Sequence, residues 1–455
     1  MSEFFGSVWW LIVTLGLLIT FHEYGHFVIA RRCGVKVLKF SVGFGPALWS
    51  RRDRHGTEFA IAAIPLGGYV KMLDERDPDA QVAPQDVGSA FNRKSLGARM
   101  AITAAGPAFN LVFTIAALWL MFVIGKPDYQ PVIGHVGGVA ASAGLEAGER
   151  ILAVDGVHID NWTQAGDRLV AAGMARQDVG LTLGRSGRPE RSVTLALSQL
   201  PPDLDQQAIY ERIGLVPQQM AIPPVVGEVT PDSAAAQAGL QAGDRIVSIG
   251  GQAIGDWREV SRSIATHAPQ GQPLALVVQR GESRLTLAAT PKPNPQAGVA
   301  GAPPYLLGIG PQPIEPRYDA TLRYNPLAAV PRALATTWEQ TRQTLAMLGH
   351  MLTGQASLKN LSGIITIAEV ANASAQLGLA WFLNFLALIS LSLAILNLLP
   401  IPILDGGALL YYLIELAKGS PVSERVQIAG QYVGLVLLVA LMGLALYNDI
   451  LRHVS

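Results

Sequence analysis

His22-Glu23-Tyr24-Gly25-His26 carries the chemistry of this chain. Two histidines four apart fall on the same face of a helix, as two zinc ligands from one helix require. The glutamate between them then lies beside the metal, where it can act as a general base in hydrolysis. The cluster closes a run of apolar residues that begins near Phe4. Ionisable groups are costly in hydrocarbon, so a His-Glu-His cluster in a membrane-type segment reads as functional. These residue types in this setting point to a metalloprotease that cuts within a membrane.

A zinc open for catalysis takes a third protein ligand, and it must meet the histidines at their depth. Asp405 is the candidate. It follows an apolar stretch that ends in Asn397-Leu398-Leu399-Pro400-Ile401-Pro402-Ile403-Leu404-Asp405-Gly406-Gly407. Pro400 and Pro402 break the helix, and the two glycines let the chain turn. The other histidines, His55, His135, His158, His267, His350 and His453, have no partner at ligand spacing and read as structural or solvated. The one cysteine, Cys33, excludes an internal disulfide framework and any zinc site of several thiolates.

Four segments must position these residues: about 4–30, 98–124, 377–399 and 428–447. Each has roughly the 20 residues needed to cross ~30 Å of hydrocarbon. The first is too long, and its polar cluster too far in, for a cleaved signal peptide. Half of all residues are hydrophobic, 15% are charged and the mean hydropathy is +0.32, which suits a polytopic membrane protein with soluble parts. A net charge of zero gives no field that favours nucleic acid.

Arg31, Arg32, Lys36, Lys39, Arg51, Arg52 and Arg54 follow the first span, and Arg93, Lys94 and Arg99 lie at the start of the second. The positive-inside rule puts residues 31–98 in the cytoplasm and 125–376 outside. His22 lies 18 residues past Phe4, about 27 Å along a helix. The candidate metal therefore sits towards the cytoplasmic face.

Within the outer region, AGLEAGERILAVDGVHIDNW at 143–162 aligns without a gap to AGLQAGDRIVSIGGQAIGDW at 238–257, an offset of 95 residues. This is one domain present twice. Strand-like runs end in Asp155-Gly156 and Gly250-Gly251 turns. The pattern resembles the PDZ domains of bacterial envelope proteases, with Asp244 keeping it and Glu149 a mild departure. Such domains bind an extended peptide at a sheet edge, often with its terminal carboxylate; a spacer role is the alternative. Residues 291–304 read as a loop or linker. Residues 325–350 read as an amphipathic helix on the membrane surface or on the paired domains.

Taken together, the HExxH helix, the NxxPxPxLDGG break, the tandem repeat between them, PVSERVQ at 421–427 and LVALMGLALYND at 438–449 resemble the site-2 protease family of intramembrane metalloproteases. The resemblance spans essentially the whole chain. It implies Zn2+ held by His22, His26 and Asp405, with Glu23 as the catalytic residue. It also implies that Asn397 holds substrate backbone; from the residues alone, its amide could equally satisfy groups freed by Pro400. One departure is Ile364 after Asn360-Leu361-Ser362-Gly363, where the family implies proline.

A helical substrate hides its peptide bonds and must be unwound. Glu58–Met72 reads as a hairpin-like, strand-forming segment with Gly67-Gly68 at a bend. Its edge could pair with an extended substrate, or it could be a plain cytoplasmic hairpin. Gly67, Gly68, Asn397, Pro400 and Pro402 are thus the candidate substrate-binding residues.

The expected fold is a polytopic α-helical membrane protein with four transmembrane helices, two extracytoplasmic PDZ domains of mixed α/β structure and a membrane-associated β-hairpin region. Its divisions are a first helix (1–30), a cytoplasmic loop with the hairpin (31–97), a second helix (98–125), PDZ domains (126–220 and 221–315) and surface helices (316–376). The third helix with its break (377–407), a cytoplasmic loop (408–427) and the fourth helix with its tail (428–455) complete the chain. The resemblance implies a bacterial inner-membrane location with the PDZ domains in the periplasm. Its substrates would be single-span membrane proteins of the anti-sigma factor type, trimmed by an earlier protease, and remnant signal peptides; the PDZ domains would exclude bulky substrates or read new C-termini. Two other classes compete: a PDZ-bearing membrane adaptor with a vestigial metal site, and a transporter. The intact cluster weighs against the first, and the absence of an inverted repeat against the second.

Overall fold

The structure is a computed structural model that describes residues 2–77, 82–201, 204, 206–268, 270–294, 304–315, 317–353 and 363–454. Residues 295–303 of the expected linker, and Asn360, Leu361 and Ser362, lie outside these. The chain forms two compact units, Met1–Lys126 with Arg323–Ser455, and Pro127–Leu322.

The first unit contains the helices α1 (Ser2–Arg32), α2 (Leu96–Ile124), α3 (Pro326–Leu352), α4 (Ile364–Gln376), α5 (Leu379–Leu398), α6 (Asp405–Lys418) and α7 (Glu424–Val454). Four of them, over Glu3–Arg32, Leu96–Ile124, Leu379–Leu398 and Glu424–Leu451, are long and apolar enough to cross a membrane. Only 11% and 6% of the apolar windows of α1 and α7 are buried inside the protein. Apolar surface on that scale needs a bilayer to solvate it.

α2 is the hub of this unit. Ser95 caps its N-terminus, its hydroxyl accepting from the Ala98 amide at 3.3 Å. Against α5, Ser390 Oγ donates to the Asn110 carbonyl at 2.8 Å, and Thr114 Oγ1 donates to the Ala387 carbonyl at 3.2 Å. Against α6, Arg99 pairs with Glu415 at 2.6 Å and lies 5.0 Å over the ring of Tyr412. α3 shields Ala329, Ala333 and Thr337 and leaves Leu327, Val330, Leu334, Trp338 and Leu345 exposed. Those five share one face, as an amphipathic helix requires.

The segment expected as a cytoplasmic loop from 408 is in fact helical: α6 starts at Asp405 and runs to Lys418. Leu399, at the end of α5, is extended (φ −64°, ψ 146°), as the residue before a proline prefers. Gly406 and Gly407 do not make the turn; neither has positive φ. They lie in the first turn of α6, against the backbone of Leu398, Leu399 and Ile401, where a Cβ would collide.

The partner of Glu58–Met72 is the preceding segment: β1 (Val37–Arg52) and β2 (Glu58–Met72) form an antiparallel pair joined at Asp53-Arg54-His55-Gly56-Thr57. Both strands fold back, so residues 37–42 pair with 58–61 on one side and with 68–72 on the other. Residues 68–72 are therefore an edge, and among the described residues no strand pairs with their outer side.

In the second unit, the two aligned stretches carry their elements in the same order. Strands Val157–His158, Arg150–Val154, Val179–Arg185 and Arg188–Leu195 form one four-stranded sheet. Gln252–Ala253, Arg245–Ile249, Leu274–Arg280 and Ser283–Ala289 form the other. Each sheet buries its own core, with Ile151, Leu181 and Leu183 in the first and Ile246, Leu276 and Val278 in the second. Alternate residues of these strands point inward, the period-two pattern of a half-buried sheet.

Candidate metal centre

His22 and His26 project from one face of α1, with Nε2 atoms 3.2 Å apart. Asp405, the first residue of α6, brings Oδ2 to 3.2 Å from His22 Nε2 and 3.5 Å from His26 Nε2. Among the described residues no other set of three ligand-type side chains converges this way. The N-terminus of α6 favours the carboxylate through the unpaired amides and dipole of a helix start.

The arrangement tests whether zinc fits. Asp405 Oδ2 is buried and, the two imidazoles apart, has no hydrogen-bond partner among the described residues. With both imidazoles protonated on Nδ1, the two Nε2 atoms and Oδ2 would face one another as three acceptors, which is unfavourable unless a cation lies between them. Tetrahedral zinc with ligand bonds of about 2.05 Å holds its ligand atoms about 3.3 Å apart, in line with the spacing seen. Three protein ligands leave a fourth position open, the catalytic rather than the structural pattern.

α2 shapes the site from the opposite side. Its Ile102 carbonyl accepts from His26 Nδ1 at 2.8 Å, which fixes the Nδ1–H tautomer and turns a lone pair on Nε2 towards Asp405. Gly106, one helical turn on, lies against both imidazoles; a Cβ there would come 2.6 Å from His22 Nε2 and collide with His26 Nε2. Asn110, a further turn on, places Nδ2 3.3 Å from His22 Nδ1. Ile102, Gly106 and Asn110 follow i, i+4, i+8 spacing, so they form one stripe on α2. Sequence reading passed over them because α2 reads as uniformly apolar. The traces it left are Gly106-Pro107 and one amide, Asn110, inside a span.

Glu23 is half-buried, and its carboxylate interacts electrostatically with His22, His26 and Asp405. Gly68 comes next to it: a Cβ on Gly68 would sit 3.6 Å from Glu23 Cγ and 2.7 Å from the Ser41 carbonyl oxygen. The Val70 amide faces the same carboxylate. The sheet edge at 68–72 therefore runs past Glu23. Gly67 (φ +112°) lies instead against the ring of Phe44. Asn397 is half-buried, and among the described residues nothing hydrogen-bonds its amide. Pro400 is exposed at the break, and Pro402 packs against Gly430 and Gly434 of α7. A cavity of about 840 Å³ lies along α6 and the residues before it, lined by Asp74, Arg76, Arg99, Leu404, Tyr412 and Glu415.

Comparison with known proteins agrees with this chemistry. Residues 10–441 match the family described as peptidase family M50. A Xylella fastidiosa (strain 9a5c) protein whose name alone assigns it as a zinc metalloprotease is 49% identical over 455 residues, covering 99% of this chain and 100% of that one. The regulator of sigma-E protease RseP of Salmonella typhimurium (strain 14028s) is 46% identical over 448 residues, or 97% of each chain. Its Escherichia coli (strain K12) namesake is 45% identical over 446 residues, again 97% of each. The adaptor and transporter readings fall. The chain belongs to peptidase family M50, the site-2 proteases, and is a multi-pass membrane zinc metalloprotease.

Proposed function

We propose that this enzyme cleaves single-span membrane proteins inside the bilayer of the bacterial inner membrane, with zinc held by His22, His26 and Asp405. The observation that carries the assignment is the buried, unpartnered Oδ2 of Asp405 facing two imidazole nitrogens at 3.2 and 3.5 Å. Zinc, when bound, supplies Lewis-acid polarisation of the scissile carbonyl and acidifies water. Glu23 takes the proton of the attacking water and later passes it to the leaving amine.

A substrate helix must expose a peptide bond before it can be cut. The unpaired edge at 68–72 supports a strand-addition reading: the unwound segment pairs there and is drawn past Glu23. The amide of Asn397, unengaged among the described residues, is then available to the substrate backbone. Gly67, Pro400 and Pro402 shape the chain around that segment and remain candidates for substrate contact.

The two sheet units of residues 127–322 are proposed as tandem PDZ domains in the periplasm. They either admit only substrates already trimmed by another protease or read the new C-terminus. Relatives named as regulators of sigma-E protease support a membrane-bound anti-sigma factor as substrate, with remnant signal peptides as a further class.

The test is cleavage of a truncated single-span reporter by the purified protein in detergent. Wild type should cut, Glu23→Gln should not, and a chelator should stop cleavage until zinc is returned. Equal cleavage by wild type and Glu23→Gln would remove Glu23 from the chemistry.

A further inference from the structure

We propose that Asn110 is a positioning residue for zinc: its side-chain carbonyl accepts the Nδ1–H of His22 and thereby aims a lone pair of His22 Nε2 at Asp405. The inference rests on the reading of His22 as a zinc ligand.

Asn110 is fully buried, and its amide meets the Nδ1 of His22 at 3.3 Å. Nδ2 is the end of the amide that faces that nitrogen. An N–H donor there requires a lone pair on Nδ1, which moves the ring proton to Nε2. Nε2 is the atom 3.2 Å from Asp405 Oδ2, and a proton on it would block ligation. Turning the amide by 180° exchanges oxygen and nitrogen at almost no cost in shape. The other end of the amide does not oppose the turn, because Oδ1 is buried and has no partner. Either orientation leaves one end of the amide among apolar neighbours, but only the turned one frees Nε2.

The rest of α2 supports the same assignment. At His26 the orienting acceptor is the Ile102 carbonyl, at 2.8 Å from Nδ1. α2 thus provides an acceptor for each ligand histidine, one from the backbone and one from a side chain, on either side of Gly106. The main-chain carbonyl of Asn110 accepts from Ser390 Oγ of α5 at 2.8 Å, which ties that turn of α2 to α5.

The experiment measures zinc affinity of the full-length protein in detergent, by competition with a chromophoric chelator. Cobalt absorption in place of zinc reports the geometry of the ligand set. Asn110→Leu should weaken zinc by roughly 10- to 100-fold, the usual cost of losing an outer partner of a ligand histidine. Asn110→Asp keeps an acceptor and should hold zinc as wild type does, with an unchanged cobalt spectrum. Ser390→Ala removes a buried bond of the same residue without touching its amide, and should leave zinc affinity unchanged.

His22→Phe is the reference. If it loses zinc while Asn110→Leu binds as wild type, the inference on Asn110 is overturned and the ligand assignment stands. If His22→Phe also keeps wild-type affinity, the ligand assignment itself fails. Equal losses in the Leu and Asp variants would mean that the site needs the shape of the amide rather than an acceptor, and would also overturn the proposal. Should leucine at 110 prevent folding, Asn110→Ala set against Asn110→Asp carries the same contrast.

Discussion

Gly106 lies so close to His22 that a Cβ would sit 2.6 Å from the Nε2 atom, well inside van der Waals contact. The neighbour that would have to give way is a candidate ligand on α1, and His26 is crowded by the same atom. Gly106→Ala should therefore push both imidazoles away from Asp405 while leaving the helices formed. Misplacing reacting groups by about 1 Å can cost ~100-fold in rate, and a loss of that order in reporter cleavage is expected, together with reduced zinc content. Full activity in the alanine variant would show that α1 and α2 can separate without disturbing the site.

Gly68 offers a different lesion at the same site. A side chain there would meet the Ser41 carbonyl oxygen at 2.7 Å and approach Glu23 Cγ at 3.6 Å. Gly68→Val should distort the edge at 68–72 and reduce cleavage by about 10-fold or more, since orientation of the bound strand is lost. Zinc content should stay at the wild-type level because Gly68 does not touch His22, His26 or Asp405. Zinc assay and cleavage of one reporter, measured on the same sample, separate this outcome from that of Gly106→Ala.

The contrast between these two glycines says what was legible in the sequence. His22, Glu23, His26 and Asp405 announce themselves because ligand chemistry restricts residue type and spacing. Gly68 was within reach because a strand-forming stretch next to a catalytic helix invites the question of its edge. Gly106 and Ile102 act through close approach and a backbone carbonyl, which any apolar helix can offer, so no side-chain pattern marks them. The helix at Asp405–Lys418 was hidden for another reason. Pro400, Pro402 and two glycines signal a break, and the length of that break is set by tertiary contacts such as Arg99 with Glu415. Ile364, which departs from the family's proline, occupies the first position of α4. Proline is favoured there because its missing amide is not needed, and isoleucine keeps the helix start.

Acid should loosen the second unit through two matched carboxylates. Glu149 accepts from Arg191 at 2.7 and 2.8 Å, and Asp244 accepts from Arg280 at 2.7 Å through both oxygens. The guanidinium bonds hold each carboxyl below its ordinary range, helped by backbone amides of Glu146 and Gln241. A carboxyl depressed in the folded state stabilises fully above its unfolded pKa, about 4.3 for Glu and 3.9 for Asp. That contribution is lost as pH falls from those values through the folded ones. Hydrogen exchange of Arg150–Val154 and Arg245–Ile249, corrected for intrinsic rates, should therefore show constant protection from neutral pH to about 4.5 and a decline below. Arg280→Ala should cost roughly 1.5–3 kcal/mol in the second sheet alone and flatten its decline below pH 4.5, because the folded pKa of Asp244 then lies closer to the unfolded one. Identical profiles for variant and wild type would deny the pair any such role.

Asp449 should prove costly to remove. It is fully buried in α7, and its carboxylate accepts four hydrogen bonds from the start of α4. Oδ1 accepts from the Gly363 amide at 2.9 Å and Thr366 Oγ1 at 2.6 Å, and Oδ2 from the amides of Ile365 and Thr366 at 3.0 and 3.1 Å. Gly363 is the N-cap residue of α4 and has no side chain to do this itself, so the cap comes from another helix. Asp449→Ala strands four donors in apolar surroundings where water does not replace the carboxylate. A loss of about 3 kcal/mol or more is expected, read as a lowered unfolding midpoint in detergent and faster exchange over Ile364–Gln376. Asp449→Asn keeps a carbonyl acceptor and should recover part of the loss. An alanine variant as stable as wild type would mean that the start of α4 finds other acceptors, and that α7 is not held through this residue.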